Sequence, residues 1–163
     1  MTLRAAYLFA IFIFVADQVT KWMIINPIDL YNVRNIELLP IFDLTWVENR
    51  GISMGLLQAD SELGRWLLTG ATALIAAGVG YWITKEEHRW DRIGLAMILG
   101  GALGNIVDRV RFGYVVDFLD LHFGTFRPFF VFNIADAAIS VGVVILLIRA
   151  FFFASGPKEN EHA

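Results

Sequence analysis

The chain contains no cysteine. That absence excludes a disulfide scaffold, thiolate metal ligands and a cysteine nucleophile together. Charge is also scarce, at 18% of residues where a soluble domain carries about 25%. The net charge is −3 and no basic block occurs, so the electrostatic footprint of a nucleic-acid binder is missing. The three histidines, His88, His122 and His162, are scattered, and no His-Glu-x-x-His sequence exists to hold zinc. No phosphate-binding glycine loop is found. A metal site is not expected, nor is any cofactor.

What the chain has instead is long apolar runs. Hydrophobic residues make up 57% of its 163 positions, and mean hydropathy is +0.60. A helix of about 20 apolar residues crosses a bilayer core of roughly 30 Å. Four such spans are expected, at about 3–25, 66–83, 93–107 and 129–153, in a single integral-membrane domain covering 1–163. The first could pass for the core of a signal peptide. However, Asp17-Gln18-Val19-Thr20-Lys21 offers no small-x-small cleavage site and the apolar run resumes at Trp22, so a retained helix is expected. The second and third spans are rich in small residues, among them Gly70, Ala73, Gly78, Gly100, Gly101 and Gly104. Small residues let helix backbones approach closely in lipid, which predicts a compact four-helix bundle.

An even number of spans puts both termini on one side. Arg4, Lys85, Arg89 and Arg92 assign that side to the cytoplasm, with Trp82 and Trp90 as interfacial anchors. The segment 26–63 is too long for a simple connector. Its β-favouring stretch from Asn35 to Trp46, punctuated by Pro27, Pro40 and Gly51, predicts a small bent sheet at the outer surface. The second outer segment, about 110–128, carries Phe112, Tyr114, Phe118, Phe123 and Phe126 and is expected to dip into the interface. A polar tail occupies 155–163.

Charges at bilayer depth cost about 2.5–3.5 kcal/mol each and so suggest function. Asp17 and Lys21 stand four apart in the favourable acid-before-base order. They read either as a self-neutralising ion pair or as a pair that orients a catalytic loop or a substrate headgroup. Asn105, Asp108 and Arg109 fall within about one helical turn. A local Asp108–Arg109 pair at a helix end is the plain reading; the guanidinium fork of Arg109 also suits a lipid phosphate. Asp117 and Asp136 differ from all of these, because neither has a basic residue within four positions. One such carboxylate would more readily serve a structural hydrogen bond. Two brought together in a low dielectric cannot both ionise, which supplies a general base and a general acid at once. Ser140 has no histidine or lysine at hand and reads as a packing residue. Two other classes remain open on the residues alone. A small proton-coupled transporter could use Asp17, Asp117 and Asp136 as a relay, although the internal repeats of transporters are absent. A membrane scaffold would leave both carboxylates unexplained.

Five segments in order resemble the bacterial lipoprotein signal peptidases, the signal peptidase II family of intramembrane aspartyl peptidases. They are Asp17-Gln18-Val19-Thr20-Lys21, Val47 to Gly55 (containing Asn49-Arg50-Gly51), Gly100 to Arg109, Tyr114-Val115-Val116-Asp117-Phe118, and Phe132-Asn133-Ile134-Ala135-Asp136. The resemblance implies four transmembrane helices, cytoplasmic termini, a monomer in membrane lipid, and an active site near the outer leaflet. It implies cleavage of a prolipoprotein just before a cysteine already carrying diacylglyceryl, with Asp117 and Asp136 as the catalytic pair. It implies that Asn49, Gly51, Gly101, Asn105, Asp108, Arg109, Val115, Asn133 and Ala135 line or support the site, with Asp17 and Lys21 as a supporting pair. One departure is Ile52-Ser53, where the family commonly has two small residues after Asn-x-Gly. The Gly-x-Gly-Asp motif of presenilin-type proteases is absent.

Overall fold

A computed structural model of the chain describes residues 1–51 and 62–152. Helix α1 runs Leu3–Ile25, a short α2 covers Leu30–Val33, and strands β1 and β2 span Asn35–Leu39 and Phe42–Asn49. Helices α3 (Glu62–Lys85) and α4 (Arg89–Phe112) follow, then strand β3 (Val115–Leu121) and helix α5 (Ile134–Phe152). The four long helices have 19–24 residues and each is apolar enough to cross a membrane. At about 1.5 Å per residue they are roughly 28–36 Å long, the thickness of a bilayer core.

Helix α1 has the expected limits. The second and third spans are longer than their apolar cores, because polar residues such as Glu62, Lys85, Arg89 and Arg111 extend each helix. In α4 the N-cap is His88, whose side chain accepts from Trp90 N. At the other end Gly113, with φ of +85°, donates its N–H to Arg109 O. That left-handed conformation favours glycine. The last span is a correction. It begins at Ile134 instead of 129, because Phe132 forms an antiparallel bridge with Leu119 and the residues just before it are not helical. The expected end at 153, the tail 155–163 and Ile52-Ser53 lie outside the described residues.

Helix α4 is the axis of the bundle, packing against α1, α3 and α5. Over half of its apolar window is buried (56%), against 28% or less in the other three. Its glycines make this possible. A Cβ on Gly100 would meet Ala10 O and Ile13 of α1, and one on Gly101 would meet Ala135 O and Ile139 of α5. Gly94 and Gly142 face each other across α4 and α5 in the same way. The remaining helix faces carry exposed apolar side chains such as Phe12, Leu74 and Val144, the pattern of helices solvated by lipid. At one end of the bundle Arg92 donates to Met1 O and Glu86 O, tying the N-terminus to the α3–α4 turn.

At the other end lies an antiparallel sheet in the order β1-β2-β3. The expected sheet between the first two spans is present, but its third strand comes from the segment between α4 and α5. β3 pairs with β2 in the register Val47↔Asp117 and Asn49↔Val115. Val116 and Phe118 pack with Ile24, Leu30 and Trp46 beneath the sheet. Asp117 points the opposite way, as alternate strand residues must. The sheet therefore positions Asp117 over the ends of α4 and α5.

Candidate active site

Asp136 owes its position to the start of α5. Asn133 precedes the helix and Asp136 lies three residues on. Asn133 Oδ1 accepts from Asp136 N (2.9 Å), and Asp136 Oδ2 accepts from Asn133 N (3.3 Å). This reciprocal pair is a capping box. It also sets a carboxylate in the first turn, where the unpaired N–H groups favour negative charge.

With its oxygen held by Asp136 N, the Asn133 amide presents its Nδ2 elsewhere. It donates to Asp117 Oδ1 at 2.6 Å. One asparagine thus joins the two carboxylates. Asn49 supplies the second donor to Asp117, from Nδ2 to Oδ2 at 2.9 Å. Its own oxygen accepts from Gly51 N at 3.0 Å, which fixes the orientation of the amide. Gly51 has φ of +96° and a Cβ there would strike Leu68, so the Asn-x-Gly spacing has a steric cause. Asn105 completes the set, donating from Nδ2 to Asp136 Oδ1 at 2.8 Å. Its oxygen accepts from Lys21 Nζ at 3.3 Å.

Lys21 is buried, and it holds more than the sequence suggested. Its ammonium contacts Asp17 Oδ2 (2.9 Å) and Asp108 Oδ2 (2.7 Å). The expected Asp17–Lys21 pair is therefore one side of a three-residue cluster, and Asp108 pairs with Lys21 instead of Arg109. Gln18 also bridges the two carboxylates. Each carboxylate then reaches a segment that carries a dyad residue. Asp108 accepts from Val116 N at 3.1 Å and Asp17 from Ala135 N at 3.0 Å. Val116 adjoins Asp117 and Ala135 adjoins Asp136, so the cluster pins both backbones. Gly104 allows this approach, because a Cβ there would overlap Asp17 Oδ2.

All of the expected site residues gather here. Val115 contributes as the buried sheet partner of Asn49, and Gly101 by admitting Ala135. Arg109 lies on the last turns of α4 beside the acidic groups, with Nε buried and lacking a hydrogen-bond partner among the described residues. Gln18 was missed, as were the ties that hold the sheet. In those ties Arg127 binds the buried Asp120 (3.1 Å), Thr45 donates to Asp120, and His122 lies 3.2 Å from Asp43. Side-chain pairing across strands has no local signature that could have revealed them. Among the described residues, no three His, Asp or Glu side chains converge to hold a metal ion.

Asp117 is 1% exposed. Burial, and then the neighbouring Asp136, push its carboxyl up to about 7 from an ordinary 3.8, against the lowering effect of the Asn49 and Asn133 amides. A proton is thus available within the pair near neutral pH. Two cavities open on the pair. One of about 510 Å³ is lined by Val47, Asn49, Arg50, Gly51 and Asp117 among others, and one of about 260 Å³ by Phe129, Phe132, Asp136, Ser140 and Val141 among others.

Four apolar helices around a glycine-lined axis, with buried polar residues under a small sheet, define a membrane-spanning bundle built around a polar site. Two solved bacterial membrane enzymes, determined by the in meso method at 2.3 Å and 1.9 Å, superpose on the chain with TM-scores of 0.79 and 0.78. They are 29% and 28% identical to it, and cover 98% and 92% of this chain and 94% of each of theirs. Residues 9–152 match the family described as signal peptidase (SPase) II, and the chain belongs to that family. It is 53% identical to the lipoprotein signal peptidase of Sphingopyxis alaskensis over 148 residues (91% of this chain, 86% of that one). It is 51% identical to that of Rhizorhabdus wittichii over 156 residues (94% and 91%). The chain is accordingly a peptidase, and its four apolar helices make it a multi-pass protein of the inner membrane.

Proposed function

We propose that the chain is an aspartyl endopeptidase that removes signal peptides from diacylglyceryl-modified prolipoproteins, cutting the peptide bond N-terminal to the lipid-modified cysteine. The observation that carries the reading is the Asn133 bridge between Asp117 and Asp136. It holds two carboxylates in one site. Asp136, capped at a helix N-terminus, is the base that takes a proton from water. Asp117, which holds its proton near neutrality, donates a hydrogen bond to the scissile carbonyl and stabilises the developing oxyanion. The proton taken by Asp136 then passes to the leaving amine. The amides of Asn49, Asn105 and Asn133 keep both carboxylates in place, so little reorganisation accompanies the reaction. Arg109 lies within electrostatic reach of Asp136, Asp117 and Asp108, and its planar fork of donors suits a substrate phosphate or oxyanion.

In this reading residues 1–163 form a single domain that works as a monomer, with cytoplasmic termini and the site near the outer leaflet. The family match and the lack of repeated halves disfavour a proton-coupled transporter. The test is cleavage of a purified diacylglyceryl-modified precursor in lipid. Wild-type protein should cut it before the modified cysteine, and Asp117→Asn or Asp136→Asn should lower kcat by about 10³-fold or more, a loss of over about 4 kcal/mol in transition-state stabilisation. Turnover at the wild-type rate by the double Asn variant would refute the dyad.

A further inference from the structure

We propose that Phe130 is a partition between two substrate compartments, and that it makes the enzyme discriminate by the lipid its substrate carries. The inference rests on the aspartyl peptidase reading and extends it to a residue that reading does not use. Phe130 is 96% exposed, more than any other large apolar side chain among the described residues. Its ring is therefore open to contact with a bound substrate. It lines both cavities at the dyad, and no other described residue does so. The larger cavity contains Asp117 and the smaller contains Asp136. The ring therefore stands between the two approaches to the reacting bond.

The two compartments differ in chemistry. On the Asp117 side the wall includes Glu48, Asn49, Arg50 and the backbone around Gly51, which are groups that hydrogen-bond a peptide main chain. On the Asp136 side it is Phe129, Phe132, Ala137 and Val141, with Ser140 the only uncharged polar side chain. That side continues into the outward face of α5, where Val141, Val144 and Ile148 are about half exposed. An acyl chain could pass from the bilayer into this cavity without leaving an apolar surface. The smaller cavity is accordingly the acyl compartment and the larger holds the polypeptide. Phe130 covers the aliphatic chains on one face and keeps them off the polar wall on the other.

The experiment uses the full chain in phospholipid nanodiscs with one precursor peptide in three forms: unmodified, dibutyrylglyceryl-modified and dipalmitoylglyceryl-modified. Phe130→Ala should reduce the dipalmitoyl-over-unmodified ratio of kcat/KM by about tenfold or more, chiefly through KM. Phe130→Leu, which keeps an apolar wall, should hold that ratio within about threefold of wild type. Ser140→Phe, which fills the acyl cavity, should raise KM for the dipalmitoyl substrate about tenfold more than for the dibutyryl one. Equal loss on all three substrates in Phe130→Ala, with the ratio preserved, would overturn the partition. Ser140→Phe impairing the unmodified peptide as much as the dipalmitoyl one would also overturn it, because the smaller cavity would then hold peptide. Failure of the aspartyl reading looks different: either wild-type protein cleaves none of the three, or the Asp→Asn variants cleave all of them.

Discussion

Replacing Asp117 by asparagine should inactivate the protein and, above neutral pH, make it more stable. The sign follows from where the proton sits. A carboxyl raised from 3.8 to about 7 in the folded protein binds more protons folded than unfolded between those values. Stability is therefore fully present below about pH 4 and is lost as pH rises through 7. At about 1.4 kcal/mol per pH unit the whole window represents about 4 kcal/mol, of which about 3 kcal/mol falls between pH 5 and pH 8. Asparagine cannot ionise and escapes this loss. It brings a cost of its own, because its NH2 must face an amide donor, either Asn49 or Asn133. An unsatisfied buried donor costs about 1–3 kcal/mol at every pH. The variant should thus melt at or below the wild type at pH 5 and above it at pH 8. The difference in Tm should move by about 6–12 °C across that range for a chain of this length. Thermal denaturation of the purified protein in lipid nanodiscs, followed by circular dichroism at several pH values, reads it directly. A Tm difference that does not change with pH would refute the raised carboxyl, and with it the proton assigned to Asp117.

Lys21→Met keeps the length of the side chain but leaves Asp17 and Asp108 buried without a cation, a loss of about 3–5 kcal/mol. Folded yield and Tm should fall, and adding Asp17→Asn and Asp108→Asn should recover part of the stability without restoring turnover. Full turnover by Lys21→Met would show that the cluster does not position the dyad. Gly101→Ala forces the backbone of α4 away from Ala135 O and should cost about 1–3 kcal/mol by overpacking, with a parallel loss of activity because Asp136 lies beside Ala135. A melting temperature and rate equal to those of wild type would contradict that contact.

How far the sequence could be read depended on whether a contact was local. Asp17 and Lys21 are one turn apart, so their pairing was visible. Asp108, which binds the same ammonium, is 87 positions from Lys21 in the chain and carries a basic neighbour, Arg109, that suggested the wrong partner. The four helices were legible because hydrocarbon imposes length and apolarity on any span. Their ends were less so, since caps such as His88 and Gly113 lie among polar residues that a count of apolar positions omits. Strand β3 was hidden for a different reason. Val115 to Phe118 are all buried, so the alternation that marks a half-buried strand is absent. Phe129 to Phe132 continue an apolar run into α5, but Phe132 is bridged to Leu119 and the residues before it stay outside the helix. The proposed pairing of Asp117 with Asp136 was suggested by charge without a basic neighbour in the sequence. The amides that orient it became evident only with the fold, because each depends on a contact from another segment.

The capping box at the start of α5 bears on how a stalled enzyme–substrate complex could be prepared. Removing the Asp136 side chain leaves Asn133 N without its acceptor and breaks the reciprocal half of the box, so an alanine variant there mixes lost chemistry with a loosened Asn133. Asp117 hangs from a strand whose backbone hydrogen bonds are made without it. A catalytically dead protein that still receives its substrate is therefore best built at Asp117, leaving Asp136 and Asn133 to keep the binding cleft in shape.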